Sequence, residues 1–404
     1  MLLLYNIAIQ FYGLIVRIFS LFNTKAAQFV EGRKHIFERV AEKIDPNQKH
    51  IWFHFASLGE FEQGRPVLEK IKTAYPSRRI VITFFSPSGY EIRKDYPLAD
   101  GVFYLPLDTS DNAKRLIDAI NPEIVIFTKY EYWHHYFEIL HRKSVPLFII
   151  SSIFRPNQIY FKSYGTFYRN ILANVTHFFV QNEESKLLLA GIGLENTSVS
   201  GDTRFDRVAE NASQPKQLDL IAEFCGSQSV MIAGSTWPAD EQLMAGLVAQ
   251  HPDWKFIIAP HEIHKSHLEE IQKIFPEAVK YSEINSAGSS SILIIDNIGL
   301  LSSVYQYGKL AYIGGGFGVG IHNTLEAAAF GLPVIFGPNY KKFQEAKDLI
   351  EIGAAKSINN EIELQQAFEI LTADESAGVT AKHYVLKKKG STDQIFDRIS
   401  GLLS

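Results

Sequence analysis

The sequence predicts an α/β protein made of two doubly wound, parallel-sheet domains in series, and three observations carry that prediction. From residue 50 onward, short β-branched apolar runs alternate with amphipathic stretches, the pattern of parallel strands joined by helices. At 404 residues the chain exceeds what one ordinary core organises. A polar stretch at 209–217, containing Asn211, Ser213, Gln214 and Pro215, divides the strands into two groups as an inter-domain linker would.

Strands of the first sheet are expected at 51–56, 80–85, 124–128, 147–151 and 177–181, with 199–200 closing it. Those of the second are expected at 230–233, 255–259, 291–295, 310–313 and 333–336, each followed by a loop rich in Gly, Pro or Asn. The chain thus divides into an anchor helix at 1–22, domains at 23–208 and 218–375 around the 209–217 linker, and a helical segment at 376–404 expected to pack back on the first domain. Doubly wound sheets bind ligands at the carboxyl ends of their strands, so two in succession are expected to face a central cleft.

Composition narrows the partners. With 46% hydrophobic and 21% charged residues the chain is that of a folded globular protein. A net charge of -4 gives no global basic field, which argues against nucleic acid. The single cysteine, Cys225, excludes an intramolecular disulfide and a multi-cysteine metal cluster, as in a reducing compartment.

Residues 1–22 are the exception, carrying one charge, Arg17, among many Leu, Ile, Phe and Tyr residues. The polar residues Asn6, Gln10, Gly13, Arg17 and Ser20 recur every three or four positions, so they form one stripe of a helix lying in a membrane interface with Arg17 reaching toward water. A spanning helix and a helix docked on protein are the alternatives. The segment has neither the basic start nor the small-residue cleavage site of a signal peptide. Downstream, Lys25, Arg33, Lys34, Arg39 and Lys43 outnumber Glu31, Glu38 and Glu42, which suits a cytoplasmic flank beside anionic lipid.

Four segments carry candidate chemistry. In 311–340, a strand runs into five glycines, Gly315 and Gly316 among them, before a helix expected to start near Asn323. Glycines let backbone approach a ligand, the helix start favours an anion, and Glu326 one turn inside can accept from ribose hydroxyls; a tight turn with an ordinary cap is the plain alternative. At 233–236, a strand end supplies the hydroxyls of Ser235 and Thr236 ahead of Pro238, a phosphate cradle or simple helix capping. Glu60 follows the first strand and is placed to take a proton, or merely to favour the first turn of a helix. Glu131, after strand 124–128, occupies a comparable position within an aromatic flank. His261, His264 and His267 form no H-E-x-x-H pattern, His134-His135 has still less to support it, and no metal is expected.

Together these segments resemble the Kdo (3-deoxy-octulosonic acid) transferases of lipopolysaccharide synthesis, inverting glycosyltransferases of the two-domain, Rossmann-like GT-B architecture. The resemblance runs nearly the whole chain: FASLGE at 55–60, TFFSPSGYE at 83–91, TKYEYW at 128–133, VSGDTRFDR at 199–207, AGSTWPADE at 233–241 and GIHNTLEAAAFGLPVIFGP at 320–338. It implies that Glu60 is the general base and that Ser235, Thr236, Asn323 and Glu326 contact the CMP-Kdo donor. It further implies an acceptor-binding first domain, a donor-binding second domain, a lipid A precursor as acceptor, no metal cofactor, and a place on the cytoplasmic face of the inner membrane. The chain departs from the family at Pro260-His261-Glu262, where Pro-Arg-His is usual; Lys265 or Arg204 is then expected to supply the positive charge for the departing phosphate. Other readings are a UDP-sugar enzyme of the same architecture, whether transferase or 2-epimerase, and a non-catalytic membrane-bound binding protein.

Overall fold

The computed structural model describes residues 1–286 and 290–403. It forms two compact units, Met1–Arg207 with Lys389–Ser404, and Val208–Lys388.

The first unit holds β1 (His50–Phe55), β2 (Arg79–Phe84), β3 (Gly101–Tyr104), β4 (Pro122–Thr128), β5 (Leu147–Ser152), β6 (His177–Val180) and β7 (Thr197–Val199). They form a parallel sheet in the order β3-β2-β1-β4-β5-β6-β7. Alternation along the central strands fills two cores. Trp52, Val125 and Phe127 meet Tyr136 and Phe137 on one face, while Ile51, Phe53 and Phe55 meet Phe61, Val67 and Ile71 on the other. Strands covered on both faces read as continuous apolar runs, which is why β1, β2, β4 and β5 fall close to their expected places.

The second unit holds β8 (Val230–Thr236), β9 (Lys255–Pro260), β10 (Val279–Lys280), β11 (Ile292–Ile294), β12 (Leu310–Ile313), β13 (Val334–Phe336) and β14 (Ala355–Ser357). Their order is β10-β11-β9-β8-β12-β13-β14, again parallel. Three strands escaped the sequence reading: β3, β10 and β14. All are edge strands of two to four residues, too short to show a periodicity.

Two boundaries differ from expectation. The polar stretch 209–217 is helical over its first half, because the helix Arg204–Ser213 crosses the division between the units, its Phe205 and Val208 buried three positions apart. The returning C-terminal segment also begins later than 376. The helix Glu375–Lys388 belongs to the second unit, and only Ser391–Ser400 packs on the first, against the helix Leu58–Ala74; residue 404 lies outside the described residues. Ile395 and Ile399 are fully buried there, contributing about 1.5–3 kcal/mol each. Asp206 ties the helix start, accepting from the Thr392 N–H at 2.9 Å and its hydroxyl at 3.0 Å.

This packing carries a pH signature. Burial, with the charge of Arg398 second, pushes His177 down to about 4. Its folded pKa lies below the usual 6.5, so the neutral ring's contribution is complete above that pH and is lost on acidification toward 4. The thermal midpoint is expected to fall over that window, and His177→Asn to fall less steeply; equal slopes by calorimetry would exclude the effect.

The N-terminal helix Leu2–Phe19 has no buried residue and is long and apolar enough, by length and composition, to cross a membrane. Its polar stripe, however, does not face water as a unit. Asn6 Oδ1 accepts from His135 Nε2 at 2.7 Å, the Tyr5 hydroxyl donates to Asp108, and Gly13 lies so close to Leu107 that a Cβ would stand 2.8 Å from its Cδ1. Tyr12 meets Phe29 and Phe85. Only Gln10 and Arg17 of the stripe are exposed, and the bare face is apolar: Leu3, Leu4, Ile7, Phe11, Leu14 and Ile18.

Candidate active site

In the first unit the strand order reverses between β1 and β4, the place where doubly wound sheets bind ligands. Both candidate carboxylates sit there. Glu60 is in the first turn of the helix Leu58–Ala74, directly after β1, and is partly exposed. The hydroxyl of Ser57, the residue before that helix, donates to Glu60 Oε2, while Oε1 has no protein partner among the described residues.

Glu131 follows β4. Its Oε2 accepts from Trp133 Nε1 at 2.8 Å and from His54 Nε2 at 3.4 Å. Behind it, Trp52 Nε1 donates to Thr83 Oγ1 and that hydroxyl meets His54 Nδ1, both at 2.8 Å. The His54 ring thus bridges the Thr83 hydroxyl and the Glu131 carboxylate. The sequence reading missed His54. Its trace was the second of two histidines in the otherwise apolar strand HIWFHF, on the face it shares with Trp52.

Of the two residues expected to replace the missing arginine, Arg204 is engaged and Lys265 reaches into solvent. Arg204 is committed to Asp202 through its main-chain N–H and its Nε, both at 2.9 Å. Burial pushes the Asp202 carboxyl up, but the Arg204 charge and hydrogen bonds, with Lys129, outweigh it and hold the group below the carboxylate range. Lys265, in the second unit, is 93% exposed and its nearest acid is Glu269 at 3.8 Å.

In the second unit the order reverses between β8 and β12, and the donor candidates surround that point. Ser235 sits at φ 55° where the pairing of β8 with β9 slips, and it is partly exposed. Gly314 passes so close that a Cβ would stand 2.2 Å from the Ser235 carbonyl oxygen, a close approach only glycine permits. Thr236, expected to face the donor, turns inward. It is fully buried and its hydroxyl donates to Glu241 Oε1 at 2.8 Å. Gly315 and Gly316 are buried as well. The Gly315 N–H is spent on Asp240 Oδ2 at 2.9 Å, and that buried carboxylate also takes the Trp237 N–H and the Tyr312 hydroxyl. Gly315 therefore does not offer its amide to a ligand, and Gly316 permits a close backbone approach, since a Cβ there would stand 2.6 Å from Gly337 Cα.

Asn323 and Glu326 are both partly exposed. Asn323 Oδ1 caps the helix Thr324–Ala329 by accepting from the Leu325 N–H at 3.1 Å, and its Nδ2 donates to Glu326 Oε1 at 3.0 Å. The helix is only six residues long, so its dipole adds little, and the side chains carry the site.

The histidine cluster holds no metal geometry. His267 Nε2 is paired with Glu241 at 3.0 Å and its Nδ1 with the Glu262 carbonyl at 2.8 Å, while His261 lies over Trp237 and His322. Among the described residues a three-donor group does occur at His134, His135 and Glu138, but His135 Nε2 is bonded to Asn6 and Glu138 to Arg142.

A family described as 3-deoxy-D-manno-octulosonic-acid transferase (kdotransferase) matches residues 33–207. The chain is similar to the 3-deoxy-D-manno-octulosonic acid transferase of Chlamydophila psittaci, 29% identical over 75% of this chain and 73% of that protein. It is also similar to the one from Aquifex aeolicus, 26% identical over 83% and 90%. Among solved structures, a UDP-GlcNAc 2-epimerase from Neisseria meningitidis shares the fold with TM-score 0.61 at 15% identity, covering 88% of this chain and 99% of that one. At that identity the likeness concerns architecture alone. By the family match over the first unit and by relatives spanning about four-fifths of its length, the chain is similar to the Kdo transferases, a glycosyltransferase family.

Proposed function

We propose that this protein transfers Kdo from CMP-Kdo to a hydroxyl of a lipid A precursor, of the lipid IVA type, with inversion at the anomeric carbon, as a step of lipopolysaccharide biosynthesis. The observation that carries the reading is Glu60, a partly exposed carboxylate beside the switch point of the first sheet with no protein partner on Oε1 among the described residues. It takes the acceptor's proton as the new bond forms at the anomeric carbon and the bond to the phosphate oxygen breaks, the electron pair leaving with CMP. Ser235, Asn323 and Glu326 hold the nucleotide. Hydrogen-bond donors answer the charge of a single phosphate, and the reaction is expected to run without a divalent ion.

The test is direct. Purified protein, fresh CMP-Kdo and a tetraacylated precursor are incubated and the lipid is weighed by mass spectrometry, with the same run repeated in chelator. Products heavier by one or more Kdo units support the reading, and an unchanged lipid refutes it. Stabilisation of the protein by UDP in preference to CMP would favour the UDP-sugar alternative.

The acceptor is a lipid, and the N-terminal helix offers the surface that meets it. With part of its polar stripe docked on the first unit, its bare apolar face lies in the interface of the inner membrane, with the body on the cytoplasmic side. A charge on that face opposes burial in lipid without touching the packed side. The double variant Leu14→Glu, Ile18→Glu is expected to leave the membrane pellet for the supernatant with its CMP affinity unchanged. Continued pelleting would place the membrane contact elsewhere.

A further inference from the structure

A cleft of about 620 Å³ in the first unit borders the second half of the N-terminal helix. Its other walls are the turn 32–35, which joins the helices Thr24–Glu31 and Ile36–Lys43, and the loop after β3 with the helix Ser110–Ile120. The lining is partly apolar, with Phe29, Ile36 and Leu107, and partly cationic, with Arg17, Arg33, Lys34 and Arg115. Glu38 is the one acid among its described lining residues, and it meets His35 Nδ1 at 2.6 Å. Arg33 is partly buried. Its Nε, Nη1 and Nη2 donate to the carbonyls of Leu105, Phe29 and Phe85 at 2.8, 3.1 and 2.7 Å, and its Cζ lies 3.5 Å from the Phe29 ring centroid. Carbonyls orient the guanidinium and leave its charge uncancelled, for no carboxylate pairs with it among the described residues.

We propose that this cleft binds one anionic phospholipid of the bilayer, its phosphate held by Arg17, Arg33 and Arg115 and the start of an acyl chain lying against Phe29, Ile36 and Leu107. This rests on the interfacial placement of the N-terminal helix proposed above.

A cation withdrawn from water without a counter-charge is costly, and an anion in the cleft would offset that cost. Burial pushes the Arg33 guanidinium down to about 9, and the groups that oppose this are tyrosine hydroxyls, Tyr104 first. Its neighbours are available as well. Arg17 comes one turn after Gly13, on the face that packs against Leu107, and its side chain has no hydrogen-bond or ionic partner among the described residues. Lys34 and Arg115 meet only exposed acids, Glu31 at 2.7 Å and Asp111 at 3.7 Å, pairs that contribute little. Guanidinium groups give a phosphate forked hydrogen bonds, whereas a zwitterionic headgroup brings a cation that these four charges oppose. The surroundings favour a bilayer lipid. Leu14 and Ile18, three before and one after Arg17, are exposed, so the cleft opens beside the bare apolar face, at the depth of headgroups. The reacting centre lies elsewhere, because β3 is two strands from β1 and Glu60, about 10 Å across the sheet.

Flotation of the full chain with phosphatidylcholine vesicles is compared with flotation on vesicles containing about one-third phosphatidylglycerol. The parent is expected to bind the anionic vesicles about tenfold more tightly. Arg17→Gln with Arg115→Gln should remove most of that preference. Lys25→Gln with Lys43→Gln takes the same charge from exposed positions outside the cleft and should change the preference less than about twofold. Equal losses in the two double variants would reduce the effect to diffuse attraction and overturn the site. A parent that binds both kinds of vesicle alike overturns it too, whereas a parent that binds neither overturns the interfacial placement on which it rests. Soluble dihexanoyl phosphatidylglycerol and inorganic phosphate are then titrated into the detergent-dispersed chain by calorimetry. The lipid should bind the parent at least about tenfold more tightly than phosphate does, and should lose that advantage in Arg17→Gln with Arg115→Gln. Equal affinity for the two would make the occupant a free anion. A rise in the KM of the acylated precursor as the soluble lipid is added would give the cleft to the acceptor, and either result overturns the bilayer lipid.

Discussion

Glu60→Gln is expected to bind CMP as the parent does and to turn over at least about a hundredfold more slowly. Glutamine keeps the side chain's length and the oxygen that accepts from Ser57, so the first turn of its helix is retained. What disappears is the ability to take a proton from the acceptor hydroxyl as it attacks. General bases contribute about 10²–10⁴-fold, which sets the lower limit of the loss. The residues proposed to contact CMP lie in the second unit and Glu60 in the first, so nucleotide affinity is the internal control. A near-normal rate would remove Glu60 from the chemistry and turn attention to Glu131, whose carboxylate also flanks the first switch point and is already held by Trp133 and His54.

The centre of each sheet was legible in the sequence and its edges were not. Strands β1, β4, β8 and β9 are buried almost throughout, so their apolar runs are continuous and announce themselves. At β10, two residues pair with a single neighbour, and local sequence contains no trace of it. The linker illustrates a different limit. Asn211, Ser213 and Gln214 read as polar connection, but Phe205 and Val208 are buried, and the helix they begin extends to Ser213.

At the site, motif positions were legible and side-chain directions were not. Glu60, Glu131, Ser235, Asn323 and Glu326 all follow strands beside a switch point, as their spacing implied. Thr236 and Gly315 do as well, yet both spend their donors inward on Glu241 and Asp240. Those two acids sit one turn into the next helix, where acidic residues are expected on electrostatic grounds alone, so nothing distinguished a buried partner from a surface cap. The N-terminal helix shows the same ambiguity. Periodicity located the stripe from Asn6 to Ser20, but only the partners His135 and Leu107 reveal that half of it faces protein.

Glu326→Ala is expected to weaken CMP binding about ten- to hundredfold, equivalent to about 1.5–3 kcal/mol, the usual contribution of hydrogen bonds to a charged group. The carboxylate is set for the task before any ligand arrives. Asn323 caps the helix with its oxygen and holds Glu326 Oε1 with its nitrogen, so the cap and the acceptor are oriented together and little side-chain freedom is lost on binding. With a helix of six residues behind it, this acceptor and the Ser235 hydroxyl have more to offer a nucleotide than the helix dipole does. If the carboxylate receives the ribose hydroxyls, the parent should prefer CMP to its 2′-deoxy analogue and the Ala variant should bind the two alike, a coupling that calorimetry resolves. Loss of affinity with the preference intact would place Glu326 elsewhere on the nucleotide. Unchanged CMP affinity in a folded variant would confine it to holding the Asn323 cap, and the donor site would then have to be rebuilt around Ser235.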